Sequence, residues 1–190
     1  MRRIVLSFIM LTIMSGCATV QEETRISTDL RASEYNSIAA KYMVRPTFTS
    51  LEKFSTGETV LAVSMDSYKT DSYGNSTNTN RYLVDYADEY IALIGKYIEW
   101  ESLAINRQDA FTKDIGKATA WSNGASASLK FSFHSGNEYK HYLSVSFCTT
   151  VCLDEQAHYY TKKDAIELKK LLAQMKTGKI NFSDIDSVYN

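Results

Sequence analysis

The chain lacks the short signatures that mark most enzyme classes. Its 190 residues hold no G-x-S-x-G elbow, no H-E-x-x-H, no glycine-rich phosphate loop and no dinucleotide fingerprint. With only three histidines, a serine-type hydrolase would have to assemble its nucleophile, base and orienting carboxylate from scattered positions, with His134 or His141 as base. Paired carboxylates are scarce. Glu99 and Glu101 stand two apart in a stretch of helical period, where they do not face each other. Asp184 and Asp186 lack the glycine and distant glutamate of a calcium loop. Both pairs read as surface charge. An excess of positive charge is also missing: 21 basic against 22 acidic side chains leave a net charge of −1, which gives no footprint for nucleic acid. No cofactor is implied.

What is present begins at the N-terminus. Arg2 and Arg3 precede residues 4–14, apolar except for Ser7 and Thr12, which is the layout of a secretory signal. That run is well short of the roughly 20 residues a spanning helix needs. Met14, Ser15, Gly16 and Cys17 then resemble the lipobox of bacterial lipoprotein precursors: an aliphatic residue, two small residues and an invariant cysteine, with Met14 where Leu is commonest. The resemblance covers only the signal and its cleavage site. It implies cleavage before Cys17 and acylation of that residue on sulfur and amine, and several acyl chains hold a membrane far better than one. In that family an Asp directly after the cysteine retains the protein at the inner membrane; Ala18 in its place implies an outer-membrane lipoprotein facing the periplasm. The expected organisation is a signal peptide over residues 1–16, a lipidated polar tether over 17–33 and one domain over 34–190. Cys17→Ser should abolish detergent partitioning.

Cys148 and Cys152 are the other two cysteines. In an exported chain an even pair is most simply a disulfide. Three intervening residues are one too many for a thioredoxin-like redox site, and His141 and His158 do not complete a zinc spacing. Closing so short a loop contributes about 2 kcal/mol on a chain-entropy model, enough to pin a local bend.

Periodicity outlines an α+β domain: an antiparallel sheet, a C-terminal amphipathic helix and one or two further helices. Tyr35, Ile38, Ala39, Tyr42 and Met43 have helical spacing before Pro46. Residues 58–69 and 81–86 read as strands, joined by a solvated loop over residues 70–80, which are almost all Ser, Thr, Asn and Asp. Residues 87–107 favour a helix over two strands, with Trp100 off its isoleucine stripe. Leu129, Phe131 and Phe133, then Tyr139, His141, Leu143, Val145 and Phe147, alternate around a turn at Ser135, Gly136 and Asn137, which is a hairpin. A short strand includes His158 to Tyr160, and Thr161 opens the C-terminal helix as its cap.

Thirteen tyrosines are the compositional excess. Tyrosine joins a rigid apolar face to a polar tip and suits contact surfaces, although it is also a good strand residue. Tyr73, Tyr139, Tyr142, Tyr159 and Tyr160, with Trp100, are the candidate binding residues. The leading expectation is a lipid-anchored, non-catalytic module that binds another envelope protein. The alternative is an immunity or inhibitor lipoprotein whose loop at residues 70–80 fills the cleft of a lytic enzyme; the scattered-residue hydrolase ranks third.

Overall fold

In the computed structural model, residues 18–71, 74–124 and 126–180 are described. Along the chain run β1 (Val20–Arg25), β2 (Ala32–Asn36), β3 (Lys41–Arg45), β4 (Thr47–Phe54), β5 (Thr59–Asp71), β6 (Gly74–Leu83), α1 (Ala87–Arg107), β7 (Thr112–Ala120), β8 (Ala127–Asn137), β9 (Lys140–Cys148), β10 (His158–Tyr160) and α2 (Lys162–Lys176). All strand pairs are antiparallel. They make a four-stranded sheet, β1-β4-β5-β6, and a six-stranded sheet, β3-β2-β10-β9-β8-β7. The class is α+β.

The single proline marks the corner between the two sheets. Pro46 separates β3 from β4, and a residue without an N–H suits the point where one ladder ends and another begins. Its carbonyl accepts from Asp66 N at 3.1 Å, and Thr47 Oγ1 accepts from Ala32 N at 3.0 Å, so both sheets are tied at the bend.

Both helices lie on one face of the larger sheet. Tyr90, Ile94 and Tyr97 on α1, and Ala165, Leu168 and Leu172 on α2, meet Leu129, Phe131, Phe133, Leu143 and Val145 in the main core, which Leu61, Val63 and Met65 of the smaller sheet complete. The helices run antiparallel: Lys162 pairs with Glu101 at 2.7 Å and Lys176 with Asp88 at 2.6 Å. Thr161 caps α2, its hydroxyl accepting from Asp164 N at 3.3 Å. Cys148 and Cys152 form a disulfide.

Four expected segments differ. The helix over Tyr35, Ile38, Ala39, Tyr42 and Met43 is instead the β2–β3 hairpin, with Tyr35 opposite Tyr42. Asn36 decides this, because its Oδ1 accepts from the N–H groups of Ile38 (3.0 Å) and Ala39 (2.9 Å) and turns the chain. The 17–33 tether is, from Ala18 on, part of the fold: β1 pairs with β4, and Ile26 and Leu30 are buried in the main core. The loop over residues 70–80 is mostly hairpin, since β5 runs to Asp71 and β6 starts at Gly74. Backbone pairing does not depend on apolar side chains, and Asn80 finds a buried partner in the Val145 carbonyl at 3.3 Å. The strand expected over 81–86 ends at Leu83 and continues as a 3-10 turn.

Candidate functional site

Helices cover one face of the six-stranded sheet, so the other face carries what its alternating residues present. Strand register fixes which residues these are. Tyr35 lies opposite Tyr42, Tyr159 opposite both Ser33 and Ser144, and His134 opposite both Tyr142 and Thr112. Five strands thereby deliver four tyrosines and one histidine to one side of the sheet. Tyr42 is the hub, its ring centroid 4.4 Å from Tyr142, 4.8 Å from Tyr159 and 5.1 Å from Tyr35. Each such aromatic pair is worth about 0.5–1.5 kcal/mol beyond area burial.

His134 is clamped edge-on to this cluster. Its Nε2 shares a hydrogen bond with the Tyr42 hydroxyl, and its Nδ1 one with Thr112 Oγ1 at 2.9 Å. Burial pushes its pKa below the usual histidine value, which keeps the ring neutral, with one nitrogen donating and the other accepting. Burial likewise pushes the Tyr42 phenol up, with the neighbouring Tyr159, Tyr142 and Tyr35 adding to it. At neutral pH His134 and Tyr42 are therefore both uncharged.

Two hairpin tips flank it. The β2–β3 turn brings Ala40 and Lys41, the β8–β9 turn brings Gly136, Asn137 and Lys140, and between them lies a cavity of about 670 Å³ walled by Tyr42 and Tyr142. Gly136 fits closely there: a Cβ at this position would lie 3.3 Å from both the Tyr142 and the Tyr42 ring, so the rings would have to give by a few tenths of an ångström. The lining carries Lys41 and Lys140 and no carboxylate. Among the described residues neither lysine forms an ion pair. Both tips also expose an apolar or aromatic residue, Ile38 at 97% and Tyr139 at 59%. A second hollow of about 320 Å³ continues past Tyr35 and Tyr159 toward Lys69 and Glu155, themselves paired at 2.9 Å.

The sequence candidates scatter around this groove. Tyr142 and Tyr159 are in it, whereas Tyr139, in the β8–β9 turn, is not part of its lining and has its hydroxyl accepting from Gln108 Nε2, just after α1, at 3.4 Å. Tyr160 is the opposite of a surface contact: it pairs with Leu143 on the core face and is fully buried. Tyr73 lies outside the described residues, as do Asp184, Asp186 and Cys17. Trp100 belongs to a separate depression of about 340 Å³ with Leu103 and Phe111, where Lys96 and Lys113 approach its ring at 4.9 and 5.2 Å. Sequence reasoning missed Tyr35, Tyr42 and His134 as one unit, because the helical spacing of residues 35–43 hid their strand register.

The hydrolase candidates have hydroxyl neighbours without a triad. His141 faces the core at 6% exposure, with Nδ1 2.8 Å from Ser135 Oγ, which also takes the Phe111 N–H at 3.1 Å. Among the described residues no carboxylate hydrogen-bonds either His134 or His141. Glu101, whose charge opposes the burial-driven fall of the His141 pKa, is committed to Lys162. No group of three His, Cys, Asp or Glu converges as metal ligands among the described residues, and no helix there is long and apolar enough to cross a membrane.

No known protein family, characterised protein or solved structure matches the chain.

Proposed function

We propose that the protein is a lipid-anchored, non-catalytic binding module of the cell envelope, and that the tyrosine groove on the open face of the six-stranded sheet receives a protein partner. The observation that carries this reading is the convergence of Tyr35, Tyr42, Tyr142 and Tyr159 between two hairpin tips that expose Ile38 and Tyr139. Rigid aromatic anchors in a concave centre with apolar and polar groups at the rim are the anatomy of a protein contact. Lys41 and Lys140 beside a lining without carboxylates favour a partner segment that brings its own acidic side chains.

The anchor rests on the Met14–Ser15–Gly16–Cys17 lipobox. The alternative inhibitory reading places a protruding loop at residues 70–80 in an enzyme's cleft; that segment is largely a paired hairpin, with Thr70 opposite Asn75 and Asp66 opposite Thr77.

Cells expressing the lipidated protein tagged after Asn190 are crosslinked, and the captured proteins are compared with those of a Tyr142→Ala/Tyr159→Ala variant. A dominant partner that falls at least tenfold in the variant, while the variant keeps its circular dichroism and melting temperature, supports the groove. A partner retained in full by a folded variant contradicts it.

A further inference from the structure

The fold begins one residue after the anchoring cysteine, and this sets how the protein stands on its membrane. Ala18 N donates to Asn123 Oδ1 at 3.2 Å, Thr19 N donates to Ser55 Oγ at 3.1 Å, and Ser55 N returns a bond to Thr19 O at 2.8 Å. Val20 then enters the β1–β4 ladder opposite Phe54. From Ala18 onward there is no slack. Acyl chains on Cys17 would enter the bilayer within one Cα–Cα step, about 3.8 Å, of a residue already hydrogen-bonded into the domain.

The loops at that pole suit a lipid headgroup layer. Trp121 stacks on Phe54 at 3.9 Å, which brings the β4–β5 turn and the β7–β8 connection together beside Ala18. Strand register places Cys148, opposite Ser128, at the same end of the larger sheet. Ser55, Thr56 and Gly57 in the turn, residues 121–126 in the connection, and Thr149, Thr150 and Val151 in the disulfide bend carry no charge. Val151 is 67% exposed. Uncharged hydroxyl and amide side chains with one bare apolar residue meet a headgroup layer without desolvating an ion.

The β8–β9 rim of the groove, with Gly136, Asn137 and Lys140, lies at the other end of the same strands. β9 runs from Lys140, in the groove lining, to Cys148 at the anchored pole, and nine residues of antiparallel strand span roughly 27 Å. We propose that the pole formed by Ala18, Ser55, Asn123 and Val151 rests on the lipid surface of the anchoring membrane, holding the tyrosine groove upright and facing away from it. This rests on the Cys17 anchor of the proposed function. It deepens that reading by assigning the groove a partner that approaches from outside the anchoring bilayer.

The test uses the lipidated full chain in vesicles of phosphatidylethanolamine and phosphatidylglycerol that carry a headgroup-linked acceptor dye. A donor dye is attached at Thr56→Cys or at Glu138→Cys, in the β8–β9 turn at the end of β9 opposite Cys148, and energy transfer is measured. Transfer several-fold stronger from position 56 than from 138, with the difference erased by a flexible Gly-Ser spacer inserted between Cys17 and Ala18, is the expected result. Equal transfer from both positions in the spacer-free protein, or stronger transfer from 138, overturns the orientation while leaving the anchor intact. If the native chain sediments with vesicles no better than Cys17→Ser, the anchor fails and the orientation with it. Neither result depends on whether the groove binds a partner.

Discussion

Tyr42 holds the candidate site together at the level of single side chains. It touches three other tyrosine rings and His134, so its removal opens the cluster without touching the core face of the sheet. Tyr42→Ala uncovers His134, whose low pKa comes from burial; the ring titration followed by NMR should move up toward the ordinary value near 6.5, and an unchanged titration would refute the burial account. His158 gives a second residue-scale expectation. It is fully buried, with Nδ1 on the Tyr160 hydroxyl at 3.0 Å and Nε2 on the Asn78 carbonyl at 3.2 Å, and burial lowers its pKa to about 4. The unfolded chain takes up a proton near pH 6.5 and the folded chain only near 4, so this contribution is complete above pH 6.5. It is lost progressively as pH falls toward 4, to a maximum of about 3 kcal/mol. Denaturant unfolding between pH 7 and 4 should show a steeper loss for the native protein than for His158→Gln.

Among the elements, the packing of the β7–β8 connection on the smaller sheet is the most exposed to single changes. Glu52 is buried and pairs with Arg81 at 2.7 Å, and the same guanidinium lies 5.2 Å from the Trp121 ring, which stacks on Phe54. Arg81→Ala leaves a buried carboxylate unpaired and should cost about 3 kcal/mol, read as a fall in the urea midpoint. A loss below about 1 kcal/mol would mean that water already solvates Glu52. Elements were legible from the sequence where side-chain pattern and backbone agreed. The β8–β9 hairpin alternates cleanly, α1 and α2 carry continuous apolar stripes, and Thr161 and the Cys148–Cys152 pair lie where local chemistry puts them. Legibility failed where the backbone pairs for reasons that side chains do not advertise. β5 and β6 extend through Ser, Thr and Asn because ladder bonds suffice there, and β2–β3 folds back because Asn36 outranks a helical spacing of five residues.

Over the whole molecule, burial of isolated residues decided the organisation. Val20, Ile26 and Leu30 are sparse apolar positions in a polar stretch, too few to announce a core, yet Ile26 and Leu30 are 7% and 1% exposed. Deleting residues 18–25 therefore removes a strand rather than a spacer, and should lower the melting temperature by several degrees; an unchanged value would restore the tether. The candidate site was legible only in part, since tyrosine excess is a property of composition while convergence is a property of register across five strands. The most direct measurement of the groove as the binding surface is site-specific photocrosslinking in living cells, with a benzophenone amino acid placed in turn at Ser37, Lys140 and, on the helical face, Lys163. The expected result is one adduct of a single size from positions 37 and 140 and none from 163; adducts from 163 alone, or equally from all three, would contradict the account.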